Sequence, residues 1–333
     1  MKRILLVTIL NFVAVATLFS QYQSKYPDIP IVDVHVHACG ITDVSNFVKV
    51  SEITKRKYAS NLAFFIDLDI LTDPIAEIKA AGKGRFFFAV SEMSPHKGIT
   101  KTPEEIVSKL RDGYVGLKFW FSDPRRTILE GEEGITRADD PSYDRLFSTL
   151  ERENALMTSF HIADPNGPFY DRTRWMADPV YYWNQIRAFE NVVAKYPDLT
   201  IVAAHCAWLI CQDAQIDYLR YLLSRYPNLH VDLSATFPYM HLVNYNNLRD
   251  FYIEYQDRIL FGSDIGFNQR LLDEAVERTA GRYADYFATL ETDREVNKGR
   301  SKGLNLPREV LEKIYYKNAL RLYPGLKESM DLQ

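Results

Sequence analysis

Cysteine is scarce in this chain: Cys39, Cys206 and Cys211 are the only three in 333 residues. No two of them form a Cys-x-x-Cys pair, which argues against a thiolate zinc cluster, and the odd count leaves at least one thiol unpaired in a monomer. An excess of basic charge is also missing. Forty Lys and Arg stand against 44 Asp and Glu, a net charge of −4, so there is no electrostatic footprint for nucleic acid. Beyond the first twenty residues no stretch is apolar enough to span a bilayer. Linkers, repeats and low-complexity segments are absent as well, so nothing divides the chain into parts.

What is present begins with residues 1–20. Lys2 and Arg3 precede an apolar run over 4–19, interrupted by Thr8, Asn11 and Thr17. The pattern is that of a secretory signal peptide, although Leu18 departs from the small-residue cleavage rule. Cleavage near Ser20 would leave residues 21–333 as one exported domain, periplasmic or extracellular, with no membrane attachment. Export makes a disulfide chemically accessible, while small buried residues account for the three cysteines equally well. The composition, 47% hydrophobic and 13% aromatic, suits one large α/β barrel or two smaller domains.

The most informative stretch is 31–37, Ile-Val-Asp-Val-His-Val-His. Val32, Val34 and Val36 alternate with Asp33, His35 and His37, the period of a strand. His35 and His37 then share one face, roughly 6–7 Å apart at about 3.3 Å per residue. Two imidazoles at that spacing can converge on one metal ion. They can equally pack as ordinary polar residues, so the pair needs support from elsewhere.

Further strands are expected over 62–66, 85–90, 114–120, 155–162, 199–204, 229–233 and 259–261. Helical stretches alternate with them over 44–59, 73–81, 102–111, 143–153, 179–196, 214–226 and 242–255, and two more close the chain over 271–290 and 307–322. Thr102-Pro103-Glu104-Glu105 is a good helix opening, with a capping hydroxyl, proline in the first turn and acids near the positive end. Eight short apolar strands separated by helices predict parallel pairing and a (β/α)₈ barrel.

Active groups of such barrels sit at the carboxyl ends of the strands. There this chain carries His35 and His37, Lys118, His161, His205 and Asp264. Three imidazole nitrogens and one carboxylate oxygen suit a borderline divalent ion such as zinc, with a position left for water. The other histidines fit that pattern less well: His96 lies in a loop, His230 within the seventh strand and His241 beyond it.

Taken together, Val32-Asp33-Val34-His35-Val36-His37, Gly116-Leu117-Lys118-Phe119, Phe160-His161, Ala204-His205-Cys206-Ala207-Trp208 and Phe261-Gly262-Ser263-Asp264 resemble the amidohydrolase superfamily, and within it the amidohydrolase-2 branch. Residues 316–322, with Asn318-Ala319-Leu320-Arg321-Leu322, resemble the closing helix of that branch. The branch includes relatives of aminocarboxymuconate semialdehyde decarboxylase and of lactone hydrolases. The resemblance implies that His35, His37, His161 and Asp264 hold one Zn²⁺, with His205 as the acid/base beside the activated water. Asp264 would also steer that water's proton. It leaves three readings of Lys118: a carboxylated bridge between two metals, an unmodified lysine facing substrate, or a lysine paired with a carboxylate.

On this basis the expected function is metal-dependent hydrolysis of a C–O or C–N bond in a small amide, lactone or ester. Non-oxidative decarboxylation is the alternative, and a catalytically inactive barrel that binds ligand is a second one. Arg125, Arg126, Arg172 and Arg174 lie on long loops and would suit an anionic substrate. Tyr170, Trp175, Trp183 and Trp208 would supply aromatic walls. The partner expected is therefore a small molecule, with self-association into a homo-oligomer left open.

Overall fold

The computed structural model describes residues 22–38, 40–54, 59–67, 75–83, 86–91, 93–94, 98–99, 101–111, 114, 116–121, 137–153, 158–167, 179–266, 273–323 and 326. Eight parallel strands form one sheet in sequence order: β1 (Ile31–Asp33), β2 (Ala59–Asp67), β3 (Phe86–Ser91), β4 (Gly116–Phe121), β5 (Thr158–Ile162), β6 (Ile201–Ala203), β7 (Leu229–Asp232) and β8 (Ile259–Leu260). The sheet closes on itself. Val34 N donates to Phe261 O at 2.9 Å and Asp264 N to His35 O at 2.8 Å. Past these contacts, Val36 and His37 pair in parallel with Ile265 and Gly266. The fold is the expected TIM barrel.

The helices lie where the apolar period places them: α1 (Ile41–Ile53), α2 (Ile75–Ala81), α3 (Pro103–Arg111), α4 (Asp144–Arg152), α5 (Pro179–Lys195), α6 (Asp213–Arg225), α7 (Tyr245–Glu254) and α8 (Asp273–Glu291). The opening of α3 is a reciprocal cap. Thr102 N donates to Glu105 Oε2 at 2.7 Å, and Glu105 N donates back to Thr102 Oγ1 at 3.3 Å. Asn244 caps α7 by accepting from Asn246 N and Asn247 N. Among the described residues no helix is long and apolar enough to cross a membrane.

Three elements differ from the sequence reading. Residues 31–37 are not one strand but two short pieces, Ile31–Asp33 and Val36–His37. The break arises because His35 N donates to the Asp33 carboxylate at 3.0 Å rather than to a neighbouring strand. The helix read over 44–59 runs instead over Ile41–Ile53, and Ala59 already opens β2. The closing helix read over 307–322 contains a π-turn at Lys313–Lys317, between Arg308–Glu312 and Asn318–Leu322. The Ile314 carbonyl in that turn accepts from Phe261 N at 2.9 Å, a bond a regular α-helix would leave no acceptor for.

The closing segment seals the amino end of the barrel. Asn318 Nδ2 donates to Gln256 O and Ile259 O, both at 2.7 Å, at the entry to β8. Tyr323 and Leu326 pack against the barrel-interior residues Val32, Ala89, Val202 and Leu260. The N-terminal segment is fastened to the same region through Glu291, which is fully buried. Its carboxylate accepts from Tyr22 Oη at 3.0 Å, Ser24 Oγ at 2.7 Å, Lys25 N at 2.9 Å and Tyr315 Oη at 3.0 Å. Residues 22–25 and 315–323 thus brace the end opposite the polar mouth, away from the carboxyl ends of the strands where such barrels carry their chemistry. The leader read at residues 1–20 lies outside the described residues.

Candidate metal centre

His35, His37, Lys118, His161, His205 and Asp264 come together at the carboxyl end of the barrel. His37 Nε2 lies 2.8 Å and His35 Nε2 3.4 Å from Asp264 Oδ1, so the two imidazoles converge on one carboxylate despite the strand break. Lys118 Nζ lies 3.4 Å from His35 Nε2 and donates to Ser159 Oγ at 3.2 Å. His161 Nδ1 and His205 Nε2 are 3.0 Å apart. Ligand atoms of His35, His205 and Asp264 all lie within 4.8 Å of one another.

Hydrogen bonding fixes which nitrogen of His35, His161 and His205 carries a proton. Ser234 O can only accept, and it lies 2.8 Å from His205 Nδ1, so that nitrogen is protonated and neutral His205 keeps its lone pair on Nε2. The 3.0 Å contact then requires His161 to donate through Nδ1. This leaves a lone pair on His161 Nε2, an atom shielded from solvent and without a hydrogen-bond partner among the described residues. Asp232 Oδ2, 3.0 Å from His35 Nδ1, likewise assigns the proton there and leaves the lone pair on Nε2. Lone pairs on imidazole nitrogens, aimed into a protein interior beside a carboxylate, are the donor set a divalent ion requires.

Electrostatics act in the same direction. Burial and the Lys118 charge push the His35 imidazole down to about 4. Burial and the adjacent His205 hold His161 well below its ordinary value, and burial lowers His205 too. All three are therefore neutral, the ligand form. Burial opposes ionisation of Asp264, but the His37 hydrogen bond and the neighbouring His205 and His35 outweigh it and hold the carboxyl well below the usual range. Burial also pulls Lys118 down to about 8, against the opposing influence of Asp232 and Asp264.

Backbone strain is concentrated at this end of the barrel. His205, Cys206, Ala207 and Trp208 have φ of 58°, 53°, 50° and 57°, four consecutive left-handed residues without a glycine. Each costs about 1–2 kcal/mol relative to a right-handed turn. With three residues per turn, positions three apart eclipse, and the Trp208 indole stacks on His205 at 4.7 Å between centroids and 23° between planes. Asp264, Ala163 and Ala235 are also left-handed, at φ of 56°, 56° and 57°. At Gly262 a side chain would meet His35 Cβ at 3.1 Å and Ser234 Cβ at 3.2 Å, so only glycine lets the end of β8 approach the site this closely.

Two clusters of buried carboxylates support these residues. Asp232 Oδ1 accepts from His205 N and Ser234 N, each at 3.0 Å, and from Ser234 Oγ. Ser234 Oγ also reaches His35 Nδ1 at 2.7 Å and His205 Nδ1 at 2.8 Å. Asp232 and Ser234 alternate at the end of β7 as His35 and His37 do at the first strand. The second cluster is Asp33, fully buried, which accepts from Tyr283 Oη at 2.5 Å and from Ser263 N at 3.1 Å. It thereby ties the chain before Asp264 to the end of β1, two residues before His35. Burial raises the Asp33 carboxyl to about 7.

Of the remaining candidates, Trp208 belongs to the site, whereas Trp183 sits on α5 with Tyr182 and Tyr218 around it. His230 is buried within β7. His241 lies beside Pro238 O and Arg300. Cys206 and Cys211 are buried free thiols. Arg125, Arg126, Tyr170, Arg172, Arg174, Trp175, His96 and Cys39 lie outside the described residues.

The family model described as Amidohydrolase matches residues 27–325. No curated protein matches the chain. Among solved structures, a Lactobacillus casei protein assigned as a metal-dependent hydrolase aligns at a TM-score of 0.53 and 13% identity, over 94% of this chain and 100% of its own. An uncharacterised TIM-barrel protein from Bordetella bronchiseptica aligns at 0.52 and 16% identity, over 88% and 98%. At such identities these structures speak for the fold alone.

Proposed function

The chain belongs to the amidohydrolase family, and from that premise we propose that it is a metal-dependent hydrolase acting on an amide, lactone or ester of a small organic molecule. The carrying observation is the convergence of His35, His205 and Asp264, whose ligand atoms all lie within 4.8 Å of one another, next to His161, whose shielded Nε2 has no hydrogen-bond partner among the described residues. His35, His37, His161 and Asp264 would hold one divalent ion, with zinc the best match to three nitrogens and one oxygen. The ion supplies Lewis acidity, which lowers the pKa of water to near neutrality and polarises a carbonyl oxygen.

The protein groups do the rest. Asp264 is ionised and about a third exposed at its side chain, so its second oxygen takes the proton of the attacking water and passes it to the leaving group. His205, neutral and held by Ser234 O and the Trp208 stack, would act as the acid/base through Nε2, the atom that accepts from His161 Nδ1 at 3.0 Å. Lys118 remains an amine, held against Ser159 beneath His35, where its charge favours the ionised Asp264. The leader over 1–20 would deliver this activity outside the cytoplasm.

The test is a panel of amides, lactones, esters and phenolic carboxylates presented to zinc-loaded protein. Uptake of ¹⁸O from water into the product supports hydrolysis. Release of CO₂ without ¹⁸O uptake reassigns the chain to decarboxylation, and no turnover by a fully zinc-loaded protein across the panel speaks for a binding barrel.

A further inference from the structure

His35 and His205 reach the site from different strands, one beyond β1 and the other beyond β6, and their ring centroids lie 5.0 Å apart with 34° between planes. One is a metal ligand and the other the acid/base, so each must aim its Nε2 in a set direction. Neither is aimed by its own rotamer, because the torsion that turns an imidazole about its Cβ–Cγ bond is broad. The direction is therefore decided by what holds Nδ1.

A single hydroxyl holds both. Ser234 Oγ lies 2.7 Å from His35 Nδ1 and 2.8 Å from His205 Nδ1. It also donates to Asp232 Oδ1, an atom that already accepts from His205 N and Ser234 N. With its proton committed there, Ser234 Oγ keeps two lone pairs, and these meet the Nδ1–H groups of the two rings. A serine hydroxyl has one donor and two acceptor positions, and all three are in use.

Each ring is thereby gripped from two sides. His35 Nδ1–H lies between Asp232 Oδ2 at 3.0 Å and Ser234 Oγ. His205 Nδ1–H lies between Ser234 O and Ser234 Oγ, each at 2.8 Å. One acceptor lets a ring swing about its hydrogen bond, whereas two define its plane. Ser234 itself is firmly placed: it is fully buried, its N–H is bound to Asp232, and a methyl at Gly262 would come within 3.2 Å of its Cβ. A vacancy the size of one hydroxyl there is too small for a water to fill.

We propose that Ser234 is a positioning residue for both rings, its hydroxyl setting the planes of His35 and His205 together and so aiming both Nε2 atoms. The part this gives to His205 in proton transfer rests on the hydrolase reading, whereas the grip on the two rings does not. The hydroxyl does not choose the tautomers. In Ser234→Ala the Asp232 carboxylate and the carbonyl of residue 234 remain as acceptors, so both protons stay on Nδ1 and only the orientation is released.

The test is NMR of the ring N–H groups in ¹⁵N-histidine-labelled protein, metal-free and zinc-loaded, with His35→Gln and His205→Gln assigning the two signals. Both ring signals should shift in Ser234→Ala while each proton remains on Nδ1. Zinc affinity should fall about 10-fold, as for other supports of a ligand. On any substrate that the parent hydrolyses, kcat should fall about 10–100-fold with KM kept, the scale of a small misplacement. Ser234→Thr keeps the hydroxyl and should keep most of the zinc affinity and kcat, and thermal melts check that both variants fold. Unshifted signals, a shift confined to one ring, or a proton moved to Nε2 in Ser234→Ala would overturn the proposal. Shifted signals from both rings in a chain that hydrolyses nothing would keep the positioning role and remove the hydrolase reading instead.

Discussion

Replacing Asp232 with asparagine should weaken zinc binding although Asp232 touches no metal. The side chain is 1% exposed and keeps its shape in the substitution. Its Oδ1 faces two backbone N–H groups and the Ser234 hydroxyl, so the asparagine carbonyl oxygen must take that position. The amide NH₂ then points at His35 Nδ1, 3.0 Å away. Two donors cannot face each other at that distance, so His35 moves its proton to Nε2, the nitrogen required for the metal. Loss of such a supporting carboxylate lowers metal affinity about 10–100-fold, or about 1.4–2.7 kcal/mol. Competition against a chromophoric chelator at pH 7 measures it, and zinc affinity within about twofold of the parent would refute the tautomer argument. The metal-free variant should also lose about 1–3 kcal/mol of stability, because a buried hydrogen-bond network loses its charged acceptor.

Tyr283→Phe removes the hydroxyl that donates to buried Asp33 at 2.5 Å; urea melts should show about 1–2 kcal/mol of lost stability, and an unchanged midpoint would mean the contact carries no energy. Gly262→Ala forces a methyl against His35 and Ser234 and should cost about 1–3 kcal/mol together with zinc affinity, read by melts and chelator competition; a neutral outcome would show that the mouth can relax. His230 is pushed by burial, with Arg258 and Arg321 nearby, down to about 3, against about 6.5 in the unfolded chain. Between those values the unfolded state binds the extra proton, so His230 costs stability as pH falls below about 6.5. His230→Gln should therefore lose less stability than the parent between pH 7 and 4.5, by about 2–3 kcal/mol, and parallel pH profiles of the two proteins would contradict this.

The barrel was legible because it rests on local patterns, and so was the gathering of polar side chains at its carboxyl end. Short apolar strands alternating with helices specify parallel pairing, and His161, His205 and Asp264 each follow an apolar run, where a strand end must lie. The break after Asp33 was not legible, because it depends on a hydrogen bond from His35 N to the Asp33 side chain that competes with strand pairing. Nor could the π-turn be read, since its cause is the Phe261 N–H arriving from β8, more than fifty residues away in sequence. Asp232 and Ser234 alternate at the end of β7 as His35 and His37 do at the first strand, but what they orient depends on His35 and His205 arriving from other strands. Trp120 shares its strand face with Lys118, and only the register with His161 reveals which neighbour that face meets.

The most direct test of the central claim is the metal content of protein purified without chelators and then reloaded with zinc, by elemental analysis with intact mass measured in parallel. The account predicts about one zinc per chain and no carboxylate adduct on Lys118. A chain that takes up no zinc even after reloading would contradict it.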